Sequence, residues 1–190
     1  TAGGDAAGIV VAGTARDPVT KLLHLYVLED CTLQGSPLTW ARAAIAAYHR
    51  HRADRMVAEV NNGGEMGETT IRSVEEQVAR EGAFFDYAPS GRSAQDAFST
   101  ALRSAQDARS GGRGRVAYRT VHATRGKAVR AEPVAAVYEQ GRGHHVGMFA
   151  QLEDEMCQWE PGDASPNRMD ALVWAATELV LGEIGGAYQY

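Results

Sequence analysis

A chain of 190 residues, 44% apolar, has enough mass to bury a core as one domain. Its net charge of −5 excludes a globally basic nucleic-acid binder, although a local basic patch can still dominate. Two distant cysteines, Cys31 and Cys157, without a CxxC pair, exclude a disulfide framework or a cysteine zinc site, and no signal peptide or apolar run of about 20 residues is present.

The chain opens at Thr1 without Met, so it reads as a processed or excised part of something longer. Residues 1–7 are small and Gly-rich, with one acid, Asp5, and form a loop. Residues 8–12 (GIVVA) predict a short buried strand. Asp17-Pro18 is turn chemistry, and residues 22–28 alternate around His24 and Tyr26, which predicts a hairpin with the first strand. His24 reads as a strand-face residue rather than a ligand, since no second ligand sits at metal spacing. Ser36-Pro37 starts a helix: Ser caps, and Pro suits the first helical position. Leu38, Ala41, Ile45 and Tyr48 follow at helical spacing. The basic cluster His49, Arg50, His51 and Arg52 closes it, and reads as a solvated helix end before it reads as a phosphate site.

Residues 56–64 (MVAEVNNGG) are the run on which a functional reading rests. An apolar strand delivers one carboxylate, Glu59, near its end, and opens into an amide pair and two glycines. That is a common way to build a metal site in an α/β sheet. A second helix spans residues 65–80, with Ile71, Val74 and Val78 on one face. Residues 84–87 (FFDY) form a short strand or a hydrophobic plug. Residues 89–114 change character: Ser, Gly, Arg, Ala and Gln dominate, and SAQDA recurs at 93–97 and 104–108. This stretch is an insertion, with a helix over 97–109 between Gly-rich flanks, either a surface flap or a loose spacer.

Residues 115–122 alternate as a further strand, which ends in Ala123-Thr124-Arg125-Gly126-Lys127. A glycine between two cations at a strand end suits phosphate contact. Residues 128–140 are helical, limited or kinked by Pro133. His144-His145-Val146 is a short strand whose adjacent histidines point to opposite faces, so they do not share one metal. Residues 149–157 form a short helix with Leu152 and Met156 inward and Glu153, Asp154 and Glu155 on the wet face. The last helix opens at Ser165-Pro166 and continues through residues 169–176 (MDALVWAA), apolar almost all round and therefore buried. Asp170 is the one ionisable group in that run. A buried carboxylate is expensive unless something pairs with it. A helix-start or hydrogen-bonding role is the plain reading, and Glu59 makes a metal the alternative. Residues 182–190 are a tail.

One acid on an interior strand and one on a buried C-terminal helix, in an order of strand, strand, helix, strand, helix, strand, helix, is the layout of a ribonuclease-H-like fold. The chemistry asks for it. Two divalent ions about 4 Å apart clamp the attacking and leaving oxygens of a phosphodiester, and hard ions want carboxylate oxygens brought together from distant parts of the chain.

The blocks at residues 8–12, 57–64 (VAEVNNGG), 122–133 (HATRGKAVRAEP), 138–146 (YEQGRGHHV), 152–159 and 168–175 (RMDALVWA) together resemble the C-terminal nuclease domain of terminase large subunits from tailed phages, prophages and gene-transfer agents. The resemblance covers most of the chain outside residues 89–114. It implies an α/β ribonuclease-H-like mixed sheet flanked by helices, one nuclease domain over residues 1–190. It also implies a metal-dependent endonuclease that cuts concatemeric double-stranded DNA with two Mg²⁺ or Mn²⁺ ions. Implied partners are the terminase ATPase domain, the small terminase subunit and the portal protein, in the cytoplasm of the host cell. Glu59 and Asp170 match the second and third acids of the family centre. The first, an Asp followed by Pro on a leading strand, has no counterpart, since the chain opens inside the Gly-rich loop that follows it. On this reading the leading strand is absent, and Asp5 stands as a further metal candidate without being promoted to the missing ligand. Arg125, Lys127 and Arg130 are the candidates for holding phosphates, and Asn61 and Arg168 for ordering the metal shell or the DNA.

Two other readings stay open. One is a catalytically incomplete module that only binds DNA or docks onto the packaging motor. The other is a resolvase-like nuclease with the same fold and metal chemistry. No GxxxxGK[ST] loop appears, which excludes ATP hydrolysis by that route.

Overall fold

The computed structural model describes residues 6–60, 65–81, 115–123, 126–163 and 166–181. In chain order the elements are β1 (Ala6–Ala7), β2 (Val10–Arg16), β3 (Leu23–Asp30), β4 (Leu33–Gln34), α1 (Pro37–Arg50), β5 (Met56–Glu59), α2 (Glu65–Glu81) and β6 (Tyr118–Val121). They continue with α3 (Lys127–Glu139), β7 (Gly143–His145), α4 (Ala150–Gln158) and α5 (Asn167–Ala176), which passes into one wider π turn at Thr177–Leu181. The architecture is mixed α/β. Among the described residues no helix is long and apolar enough to cross a membrane. The expected short strand or plug at 84–87 and the insertion at 89–114 lie outside the described residues.

The chain divides into two compact units, Thr1–Gln34 with His122–Tyr190, and Gly35–Val121. In the first, β2 and β3 form the expected antiparallel hairpin, and β7 adds to β3 in parallel, with Tyr26 opposite His144 and Val27 opposite His145. The turn closes as Asp17 predicts. Its Oδ1 accepts the backbone N–H groups of Val19 and Thr20 at 2.9 and 2.6 Å, an Asx-type bond that holds the reversal. Lys21, at φ 62°, completes the turn in the left-handed region. Alternation along β3 sends Leu25 and Val27, both fully buried, to the core and His24 and Tyr26 to the other face. The core joins them to Val134 and Val137 of α3, Leu152 of α4, and Met169, Leu172 and Val173 of α5.

The short pair β1 with β4, Ala6 opposite Gln34, is one that periodicity does not announce, because two residues carry no pattern. It sits beside the close approach that seats α5. A Cβ at Gly8 would collide with the backbone carbonyl of Asn167, so only glycine lets this loop pass the start of that helix. Helix α3 runs on through Pro133 to Glu139, where the sequence suggests a limit or a kink.

In the second unit, β5 and β6 pair in parallel, with Glu59 opposite Val121. Ser36 caps α1 as expected: its side chain accepts the N–H of Thr39 at 3.3 Å, and Pro37 takes the first position. The small residues Ala41, Ala44 and Ala47 are buried on α1, and Ile71 and Val74 on α2. Arg72 and Glu75 of α2 grip the approach to β6, where Arg72 donates to the carbonyl of Val116 and the N–H of Val116 donates to Glu75 at 2.6 Å.

Candidate functional site

Asp170 lies in the first turn of α5, where the helix dipole favours an anion. Two cations from α3 meet it. Lys127 Nζ is 2.8 Å from one carboxylate oxygen, and Arg130 NH2 is 3.9 Å from the other. The geometry follows from helical period. Lys127 and Arg130 are three apart on α3, and Asp170 and Trp174 are four apart on α5, so each pair shares one face. The Arg130 guanidinium therefore reaches Asp170 while lying 4.6 Å from the Trp174 ring centroid, a cation–π contact. The Arg130 side chain is 9% exposed, Asp170 18% and Lys127 44%, so the three run from a buried cation to a solvated one.

Arg168 is placed by carboxylates. Its guanidinium donates to Asp30 Oδ2 at the end of β3 (2.9 Å), to Glu155 Oε1 of α4 (3.0 Å) and to Gln151 Oε1 (2.6 Å). Glu155 also accepts the backbone N–H groups of Arg168 and Met169 through Oε2, at 3.0 and 3.1 Å. These are amides of the first helical turn, which have no partner within the helix. Pro166 at the cap position supplies no side-chain bond, so a glutamate from another helix does the capping. The expected wet face of α4 is thereby corrected. Glu155 is turned to α5 and Glu153 to β7, because each finds donors there, and only Asp154 of the three is exposed.

The adjacent histidines of β7 point to opposite faces, as the strand period requires. His144 Nε2 lies 2.8 Å from His24 Nδ1, its ring stacked on those of His24 and Tyr26. His145 lies between Tyr138 and Glu153, its Nδ1 2.8 Å from the carboxylate and its Nε2 2.9 Å from the phenol oxygen. The bond from His145, with the N–H of Phe149, holds the Glu153 carboxyl below its usual range. Burial pushes the Tyr138 phenol up to about 12, and the Glu153 charge adds to it.

Glu59 ends β5 in the second unit, half-buried, with the ladder continued by the Val60 N–H to the Val121 carbonyl at 2.9 Å. Thus the structure brings Lys127 and Arg130 to Asp170, places Arg168 among Asp30, Glu155 and Gln151, and sets Glu59 in the other unit. Asp5, Asn61 and Arg125 lie outside the described residues. Among the described residues no three His, Cys, Asp or Glu side chains converge as a metal-binding group. Sequence reasoning misses Glu155 and Asp30, because their partners lie far along the chain and leave no local signal.

A family model described as the terminase RNaseH-like domain matches residues 1–179. The chain belongs to this family. The match runs through both units and agrees with the resemblance carried by the sequence blocks, and the mixed α/β architecture is that expected of a terminase RNaseH-like domain. No curated protein and no solved structure shows significant similarity to the chain. In this terminase domain the two acids that match the family centre, Glu59 and Asp170, offer carboxylate oxygens, the donor type that hard divalent ions take. Asp170 is also a carboxylate around which positive charge already gathers.

Proposed function

We propose that this chain is the metal-dependent endonuclease domain of a viral genome-packaging terminase, cutting concatemeric double-stranded DNA. The observation that carries the reading is the Asp170 cluster within a terminase RNaseH-like chain: a carboxylate at a helix start, met by Lys127 and Arg130. Glu59 and Asp170 would hold Mg²⁺ or Mn²⁺, with Asp5 as a further candidate. When bound, such an ion pair supplies Lewis-acid stabilisation of the attacking and leaving oxygens of a phosphodiester. Lys127 and Arg130, with Arg125, would receive the DNA phosphates, and Asn61 would order the shell at the end of β5. Arg168 serves by holding the first turn of α5, through Asp30 and Glu155, so that Asp170 is presented at a fixed place. The packaging ATPase domain, the small terminase subunit and the portal are the proposed partners, and the host cytoplasm the proposed place of action.

The test is plasmid nicking by purified protein with Mn²⁺. Wild-type protein nicks the plasmid, chelator stops it, and Asp170→Asn abolishes it. Cleavage unaffected by that substitution overturns the assignment. A second reading, a module that binds DNA or docks on the motor without cutting, is favoured by the lack of three converging metal-ligating side chains among the described residues. It predicts salt-sensitive, metal-independent DNA binding without nicking.

A further inference from the structure

Asp170 is approached by two cations that differ in every respect that governs exchange. Arg130 is nearly buried, and its guanidinium is laid against the Trp174 ring, so its position is set by packing. Lys127 is the first residue of α3, 44% exposed, beginning a helix whose cap, Gly126, offers no side-chain bond. Lys127 is also one of only two lysines among the chain's 19 Lys and Arg residues, the other being Lys21. In a chain that otherwise uses arginine, the cation in closest contact with the Asp170 carboxylate is a compact, strongly hydrated ammonium on a flexible stem. Such a group makes no bidentate clamp and leaves its partner more readily than a guanidinium does.

At 2.8 Å from Oδ2, the ammonium occupies the approach that a divalent ion needs to the same oxygen. Two cations cannot both lie within coordination distance of one carboxylate oxygen without strong mutual repulsion. We propose that Lys127 is an exchangeable counter-ion of Asp170. It pairs with the carboxylate in the absence of DNA and moves to a DNA phosphate when the duplex arrives, so that metal loading at Asp170 is coupled to DNA binding. The inference rests on the reading of Asp170 as a metal ligand. Lys127 acts as a positioning residue, which governs when the carboxylate is open, while Arg130 stays in place and screens it. By linkage, DNA then tightens metal binding and metal tightens DNA binding by the same factor.

The experiment is Mn²⁺ binding to the whole chain, followed by electron paramagnetic resonance of the free ion, with and without a short DNA duplex at 4 °C. In wild-type protein the duplex tightens Mn²⁺ binding. Lys127→Met tightens Mn²⁺ binding without DNA by about fivefold, the scale of a half-exposed ion pair, and the further gain from DNA shrinks by a similar factor. Lys127→Arg, which keeps a cation on Asp170, stays near wild type without DNA. Lys21→Met makes the same change in net charge away from Asp170 and leaves the affinity unchanged. Equal affinity in wild type and Lys127→Met, or an equal gain from Lys21→Met, overturns the exchange while leaving the metal site standing. Mn²⁺ binding that Asp170→Asn does not weaken overturns the site itself, and the exchange with it.

Discussion

Glu155 and Arg168 are joined twice, side chain to side chain at 3.0 Å and side chain to backbone at 3.0 Å, so that one glutamate both pairs the arginine and caps the helix on which it stands. The carboxylate lies between two helices, and each oxygen has its own donor. Replacing either partner therefore costs more than an exposed ion pair would. Glu155→Ala leaves two first-turn amides of α5 without an acceptor and removes one carboxylate from Arg168. The expected loss is about 1–3 kcal/mol. Arg168→Met is expected to cost a similar amount, since Asp30 and Glu155 then face each other's surroundings without the cation. Urea unfolding of both single variants and the double variant checks this: the double variant loses less than the sum. Strict additivity would show that the two residues act independently.

The passage of the chain at Gly8 makes a second prediction. A methyl group there meets the Asn167 carbonyl, which is backbone and has no rotamer to yield, so Gly8→Ala is expected to cost about 1–3 kcal/mol. Gly13, in the same hairpin, is the control. A Cβ there meets only Leu28 Cδ1 at 3.7 Å, an ordinary contact. Gly13→Ala is expected to be neutral or to stabilise by up to about 1 kcal/mol through lower chain entropy in the unfolded state. Equal unfolding midpoints for the two variants would contradict the close approach.

The Tyr138–His145–Glu153 chain makes stability depend on pH at both extremes. The folded state holds Glu153 below its ordinary value of 4.5, chiefly through the bond from His145. Its contribution is complete above about that pH and is lost as pH falls through the folded value. The folded state raises Tyr138 from 10 to about 12, chiefly by burial, so that its contribution is complete below pH 10 and is lost as pH rises toward 12. Urea midpoints measured across pH should show Glu153→Gln flattening the acid limb and Tyr138→Phe flattening the alkaline one. Unchanged limbs would remove these residues as the cause.

Glu59→Gln separates the nuclease reading from a merely structural role. The amide keeps the size and hydrogen-bonding reach of the side chain at the end of β5 while removing the charge a divalent ion needs. The expected outcome is a folded protein, with an unfolding midpoint near wild type, whose Mn²⁺-dependent nicking falls below detection. Full nicking by this variant would remove Glu59 from the centre.

Much of the local structure is legible in the order of residues, because short-range rules decide it. Ser36-Pro37 starts α1, Asp17-Pro18 turns the hairpin, and two neighbouring histidines on β7 part to opposite faces. The two acids that matter most, Glu59 and Asp170, stand out as single carboxylates in apolar runs, and the spaced blocks around them are enough to indicate the family. Periodicity reports which face of its own element a residue occupies. It is silent on which element lies opposite, and that is what tertiary structure decided. Only packing of α3 against α5 turned Lys127 and Arg130 from candidate phosphate holders into partners of Asp170. Only the folding back of α4 made Glu155 a cap rather than part of a wet face. Arg168 and Asp30, 138 residues apart in sequence, meet through no local pattern, because the free energy that joins them comes from burying two opposite charges together after the chain has closed that loop.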